Sequence, residues 1–310
     1  MVGTIEAVGS NLTDEARLAE VERKIDFLID LTTKVLKMSN ETRALVGPFG
    51  VPMPDGSVLV QTLWGHKVLV DANDMIMAPQ LIVYRQWEAD LSKLMYDYIT
   101  SDSVFIDVGA NIGYFTCLLA GKIGGSGTGR VVAIEPNPRC LTLLRKNLSI
   151  NWPIQMDRVR VEAVAVSDKE GIAHLTVPTS GAANAQISSK GASNETVPVV
   201  MKPLDAILAD VPAADLMKID VEGFEQFALL GAREFISRSK DLIIVMEWSL
   251  GQMAECQSSP SDMIALIEAL GLTVFHLPES LNKDHHGFVP YNLEDLERRG
   301  YDNIILAHAK

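Results

Sequence analysis

The sequence is poor in cysteine, in basic charge and in aromatic side chains, and it holds no long apolar run. Three cysteines, Cys117, Cys140 and Cys256, occur in 310 residues. An odd number at such wide spacing excludes a disulfide framework and a zinc site of paired Cys-x-x-Cys type, and it suits a reducing compartment. Lysine and arginine number 27 against 40 acidic residues, a formal charge of −13. Proteins that grip phosphates are normally basic, so no nucleic-acid partner is expected, and an anionic membrane would repel this surface. No stretch of 18 consecutive apolar residues occurs, so no membrane span is expected. Met1–Asn11 has neither the basic nor the apolar segment of a leader, and the expected location is the cytoplasm. What is present is an ordinary folding composition, 47% hydrophobic and 22% charged, enough for one large domain or two smaller ones.

Three parts follow along the chain. Residues 1–46 read as a helix, with Thr13 as N-cap and Asp14 and Glu15 in the first turn, where they suit the helix dipole. Leu18, Val21, Ile25, Leu28 and Val35 recur at steps of three and four, with Thr32 at the missing position. That rhythm lasts about three heptads and fits either an amphipathic helix lying on its own domain or a homo-oligomer formed through this helix. The helix should stop by Gly47-Pro48. Residues 47–100 read as an extension that could act as a lid over cofactor or acceptor. It comprises a hairpin, Ser57–Leu63 and Lys67–Asp71 around Trp64-Gly65-His66, then one helical stretch from Tyr84 to Ile99 carrying Arg85, Trp87, Glu88 and Tyr96.

Residues 101–310 change pattern. Continuous apolar runs at Val104–Val108, Val131–Ile134, Val159–Val166, Leu216–Ile219 and Leu242–Met246 alternate with helical segments at Ile112–Lys122, Arg139–Ile150, Phe224–Ser239 and Ser261–Leu270. Strands that are apolar on both faces predict a mostly parallel α/β sheet covered by helices on both sides. The last runs, Leu272–Phe275 and Ile304–Ala307, have no strong helix between them and are expected to pair antiparallel. Thr179–Glu195, rich in Gly, Ala, Ser and Asn, reads as a long loop on a hairpin, either passive or a binding loop.

The most informative stretch is Asp107-Val108-Gly109-Ala110-Asn111-Ile112-Gly113, between a strand and a helix. Its glycines allow a sharp turn and a close approach of backbone N–H groups to a ligand. Glu135 ends the next strand, where a carboxylate can accept both ribose hydroxyls of an adenosine cofactor. A dinucleotide fits poorly. Asn111 stands where the G-x-G-x-x-G fingerprint should be open, and 28 positions separate Asp107 from Glu135, against roughly 20 in that fingerprint. Asp107 at the lip of the turn would repel a pyrophosphate but attract the ammonium and sulfonium of S-adenosylmethionine. S-adenosylmethionine, with S-adenosylhomocysteine as product, is therefore the expected cofactor.

The phrases FIDVGANIGYFT (105–116), VVAIEPNP (131–138), AVSDKEG (165–171) and LMKIDVEGFE (216–225) together resemble the FkbM family of S-adenosylmethionine-dependent methyltransferases. The resemblance covers about 100–250, with a weaker likeness at Trp87-Glu88. It implies a class I, Rossmann-like methyltransferase fold, with seven strands, mostly parallel, the last antiparallel. It also implies roles for matching positions. Asp107, Gly109, Ala110, Asn111 and Gly113 would surround the methionine half of the cofactor. Glu135, with Pro136 beside it, would hold the ribose, Glu162 and Ala163 the adenine, and Asp220 would border the methyl group.

Lys218, Asp220 and Glu222 alternate at the end of a buried strand, and Glu247 ends the neighbouring run. Such a charged group is costly unless paired or useful. Ligands of open α/β sheets bind at the carboxyl ends of the strands, so these side chains are expected to converge on the cofactor crevice. Glu222 or Glu247 is the expected general base, with Lys218 balancing the acids. The competing reading is a structural ion-pair cluster. Asp220, Glu222 and Glu247 could also hold Mg²⁺ through oxygen ligands, though no spacing compels it. Trp248, next to Glu247, could offer a flat wall to a sugar ring. The expected reaction is O-methylation of a small-molecule or glycan hydroxyl. A macrolide or polyketide hydroxyl is the rival acceptor. A dinucleotide oxidoreductase and a non-catalytic oligomerisation module are the alternatives from other classes.

Overall fold

The continuous apolar runs of the sequence form one seven-stranded sheet in the computed structural model, which describes residues 14–45, 50–124, 127–151, 156–176, 186–188, 196–256 and 258–310. Its strands are β4 (Val104–Val108), β5 (Arg130–Ile134), β6 (Val159–Glu162), β11 (Leu216–Ile219), β12 (Ile243–Ser249), β13 (Leu272–Phe275) and β14 (Tyr301–His308). The order is β13-β14-β12-β11-β4-β5-β6. Neighbours from β12 to β6 are parallel, while β14 runs antiparallel between β12 and β13. The expected mostly parallel sheet with an antiparallel last strand is therefore present. Two compact units are distinguished, Met1–Pro48 and Phe49–Lys310. The first contains α1 (Asp14–Leu45).

The reason for the unbroken apolar runs is visible in the core. Ile106, Val132, Met217 and Ile244 join one apolar cluster, and Phe105, Val131, Leu216 and Ile243 join the other, on opposite faces of the same strands. The first face is covered by α7 (Glu225–Leu230), α8 (Arg233–Arg238) and α10 (Pro260–Ala269), through Leu229, Phe235 and Met263. The second is covered by α2 (Met77–Tyr84), α3 (Ala89–Tyr98) and α4 (Tyr114–Ile123), through Leu81, Met95 and Leu119. Both faces are dry, so alternation with polar residues is lost.

Three expectations need correction. The stretch Tyr84–Ile99 is not one helix, because α2 ends at Tyr84 and α3 begins at Ala89. Between them Arg85 and Glu88 take left-handed φ values of 59° and 41°. The break is pinned from outside: Arg85 Nε donates to the Gln61 carbonyl at 2.8 Å, and Leu63 N donates to the Arg85 carbonyl at 2.8 Å. The run Val159–Val166 is divided into β6 and β7 (Ala165–Val166), and β7 leaves the main sheet to pair with β10 (Thr196–Lys202) in a second sheet with β8 (Gly171–Thr176) and β9 (Gln186–Ser188). The segment Phe224–Ser239 is interrupted at Gly231, where a Cβ would lie 2.2 Å from the Ser167 carbonyl oxygen. Of the Thr179–Glu195 loop only β9 lies within the described residues, as does none of Thr13, Gly47, Pro48 or Trp152.

The hairpin is built as expected, with β2 (Ser57–Gln61) and β3 (Lys67–Asp71) antiparallel, and β1 (Gly50–Pro52) added at its edge. Two asparagines of α5 (Pro138–Asn151) fasten it to the main sheet. Asn147, fully buried, accepts from Leu69 N at 2.7 Å and donates to the carbonyls of Leu69 at 3.1 Å and Ile112 at 2.8 Å. Asn151 repeats the pattern on Lys67, accepting at 2.7 Å and donating at 2.6 Å, but near solvent. Asn147 thereby links the hairpin to the glycine turn before α4. Removing a buried partner strands the groups it served, whereas water replaces an exposed one. Asn147→Ala is expected to lower unfolding free energy by about 3 kcal/mol and Asn151→Ala by about 1 kcal/mol or less, measured by urea denaturation.

Candidate active site

A cavity of about 540 Å³ opens at the carboxyl ends of β4, β5, β11 and β12. Its floor is the turn from Gly109 to Gly113. Gly109 has φ 84°, and a Cβ there would sit 1.7 Å from the Asp220 carbonyl oxygen. Only glycine lets the ends of β4 and β11 approach this closely. Asn111 also takes a left-handed φ, 52°. The N–H groups of Gly109 and Ala110 both donate to the Ile134 carbonyl at 3.0 Å, which ties the turn to β5.

Glu135 sits at the end of β5 and lines the cavity, with Pro136 beside it. One carboxylate oxygen accepts from Asn111 N at 2.8 Å and the other from Asn137 N at 2.8 Å. Burial pushes its carboxyl up to about 7, against the pull of those two backbone N–H groups. Ala110 and Asn111 line the cavity with it, while Gly113 shapes the turn from behind.

Asp107 is not at the lip. It is 1% exposed, beneath the turn, where it accepts from the Thr116 hydroxyl at 2.5 Å. The pleat of β4 puts it on the same face as Phe105, the side that α4 covers. Its other oxygen has no hydrogen-bond partner. Glu162 and Ala163 also lie off the cavity wall. Glu162 faces Arg160 at 3.3 Å, and Val164 and Ala165 form the wall instead.

Lys218, Asp220, Glu222 and Glu247 all line the cavity. Lys218 is 5% exposed, and its ammonium lies 2.6 Å from Asp220 and 5.0 Å above the Phe115 ring centroid. Burial works against that ammonium, but Asp220, Glu88 and Asp107 outweigh it and hold it above the usual lysine range. β11 stops at Ile219, and Glu222 reaches the cavity from a turn, at φ 55°. Glu225 caps that turn, accepting from Val221 N at 3.0 Å and Gly223 N at 3.2 Å. The Glu222 carboxylate accepts from the Gln252 side-chain amide. Burial, then the neighbouring Asp220 and Glu225 charges, pushes Glu222 up to about 7. Burial raises Glu247 too, with Asp220 and Glu222 adding to it. One Glu247 oxygen is buried without a partner.

The structure adds residues that sequence reasoning did not place in the site. Glu88, at the left-handed break before α3, lines the cavity with a buried oxygen lacking a partner, and burial raises its carboxyl. Trp87, Tyr114 and Phe115 give aromatic surface on the same side. Tyr301 on β14 also lines the cavity, where burial and then the Glu247 charge raise its phenol. Tyr114 and Phe115 follow the glycine turn directly and were within reach of the motif. Tyr301 is brought in only by the β12–β14 pairing, which sets it opposite Ser249. Trp248, by contrast, is no wall of the site: it is fully buried in the core, its indole N–H bonded to the Arg299 carbonyl at 3.1 Å. Successive β12 side chains point to opposite faces, so Glu247 in the cavity requires Trp248 in the core. Among the described residues no group of three or more His, Cys, Asp or Glu side chains is arranged to hold a metal ion.

The family model described as the methyltransferase FkbM domain matches residues 107–273, more than half of the chain and the whole floor of the cavity. Among solved structures, the chain is similar to a methyltransferase FkbM from Methylobacillus flagellatus, at 19% identity and a TM-score of 0.43, covering 69% of this chain and 47% of that one. This chain thus spans about half the length of that protein. A precorrin-6y C5,15-methyltransferase from Geobacter metallireducens is similar at 17% identity and a TM-score of 0.40, covering 75% of this chain and 93% of that one. TYW2 of Pyrococcus horikoshii, solved in complex with MeSAdo, is similar at 15% identity and a TM-score of 0.40, covering 81% and 70%. No curated protein matches the sequence. With the four motifs lying along one cavity and the family model spanning them, the chain belongs to the FkbM methyltransferase family.

Proposed function

We propose that the protein transfers a methyl group from S-adenosylmethionine to a hydroxyl of a sugar or glycan, acting in the cytoplasm. The observation that carries this reading is the charge of the cavity. Among the described residues, Glu88, Glu135, Asp220, Glu222, Glu247 and Glu255 line it with a single ammonium, Lys218, already engaged by Asp220. Such a wall favours a cationic ligand and disfavours a pyrophosphate. The glycine turn and Glu135 fit the cofactor: Gly109 to Asn111 would face its methionine half and Glu135 its ribose. When bound, S-adenosylmethionine supplies an electrophilic methyl group on a sulfonium.

The chain's own residues do the rest. Positioning of the acceptor falls to the cavity wall beyond Asp220, formed by Trp87, Glu88, Glu247 and Tyr301. Flat rings next to carboxylates suit a sugar, whose C–H faces stack and whose hydroxyls donate. A hydroxyl acceptor loses its proton as the new bond forms, and Glu222 or Glu247, raised toward neutral pH, is matched to receive it. Lys218 stays charged and holds the Asp220 side chain beside them at 2.6 Å. A macrolide hydroxyl is the rival acceptor, favoured by the apolar Ile76 and Met77 that also line the cavity.

Incubation with methyl-labelled S-adenosylmethionine and a panel of glycans and polyketides should label a sugar hydroxyl, and label on polyketides alone would reject the sugar reading. Turnover should rise with pH through about 7 to 8, because the carboxyl that acts as base, Glu222 or Glu247, must first lose its proton. Glu222→Gln or Glu247→Gln should lower kcat by about 10²-fold or more, with little change in KM for the cofactor. In a thermal-shift titration, S-adenosylhomocysteine should raise Tm and NAD should not, since a ligand stabilises only the folded state it binds. Stabilisation by NAD alone would overturn the choice of cofactor.

A further inference from the structure

Helix α1 (Asp14–Leu45) carries a row of exposed apolar side chains that the catalytic reading leaves unused. Leu28 and Val35 form its spine, Phe27 and Leu31 one edge, Ile29 and Leu36 the other. Each of these six side chains is between 45% and 63% exposed. At 100° per residue they cover an arc of roughly 200°. One neighbouring helix buries a stripe of about 100°, so a pair of helices would leave one edge in water. Two neighbours are needed to cover both edges.

The remaining arc is polar and mixed in sign: Glu22, Asp26 and Asp30 with Arg23, Lys34 and Lys37. Helices that lie on anionic membranes carry mainly Lys and Arg there, so a lipid surface is not the fitting occupant. Two polar residues interrupt the described part of the stripe, Lys24 and Thr32, and the Thr32 hydroxyl donates to the Leu28 carbonyl at 2.7 Å, so Thr32 can enter an apolar interface already satisfied.

Charge along the helix fixes the direction of the neighbours. By sequence, residues 14–30 hold six acids and three bases, and residues 31–45 hold three bases and one acid. This order suits the helix's own dipole, and between copies it attracts antiparallel neighbours and repels parallel ones. A closed ring in which every neighbour is antiparallel needs an even number of helices, and two are too few for the arc. We propose that α1 assembles four copies of this chain into an antiparallel four-helix bundle.

Light scattering on the size-separated full-length protein at micromolar concentration tests this. The expected mass is that of four chains of 33.8 kDa. The double variants Phe27→Ser/Leu31→Ser and Ile29→Ser/Leu36→Ser each disable one edge and should each halve the mass. All four tryptophans lie outside α1, at 64, 87, 152 and 248, so their fluorescence reports the catalytic unit. An unchanged urea midpoint by tryptophan fluorescence shows that the variants act on assembly alone. A monomer or dimer of the unmodified chain would overturn the proposal, as would a four-chain mass retained by both variants. A three-chain mass would overturn the antiparallel arrangement.

Discussion

The Lys218 ammonium is buried at the end of a central strand, and the site is organised around compensating it. An isolated charge in that position would cost several kcal/mol. It is tolerated because Asp220 lies 2.6 Å away and because Glu88 and Asp107 face it from two other elements. The pairing works in both directions. Lys218 neutralises part of a carboxylate cluster that could not otherwise share so small a volume, and the Phe115 ring closes over it at 5.0 Å. What is left is a wall with more acids than cations, in which burial and mutual repulsion hold Glu222 and Glu247 near neutral pH.

The fold serves that arrangement by bringing strand ends together. Gly109 allows β4 and β11 to touch through the Asp220 carbonyl, which sets the glycine turn against the carboxylate cluster. Insertion of β14 beside β12 carries Tyr301 to the wall that also holds Glu247. Asn147 couples the hairpin extension to the same turn, so the extension is part of the unit that forms the cavity and not an independent appendage. The break at Arg85–Glu88 has a related origin. Bonds from the hairpin hold it open, and it delivers Trp87 and Glu88 to the cavity wall.

The main sheet was legible in the sequence because burial on both faces leaves continuous apolar runs, a pattern that few other structures share. The glycine turn was legible because Gly109 answers to a backbone clash that no other residue avoids. Features set by contacts between distant segments were not. The helix break needs Gln61 and Leu63, which lie in another element. The departure of β7 from the main sheet needs β10, across the long loop. Asp107 was misplaced at the lip because its position in the motif was read without the pleat of β4, which turns it under the floor. Trp248 was misjudged for the same reason: its neighbour Glu247 faces the cavity, so it cannot.

On the proposed reading, the cavity is short of a cation that the methyl donor brings. Calorimetric titration near pH 7, repeated in buffers of different ionisation enthalpy, measures protons exchanged on binding. A cation entering beside half-protonated Glu222 lowers its pKa and expels protons. The account predicts clear proton release on binding S-adenosylmethionine and markedly less on binding uncharged-sulfur S-adenosylhomocysteine. Equal release for the two ligands, or none for either, would contradict it.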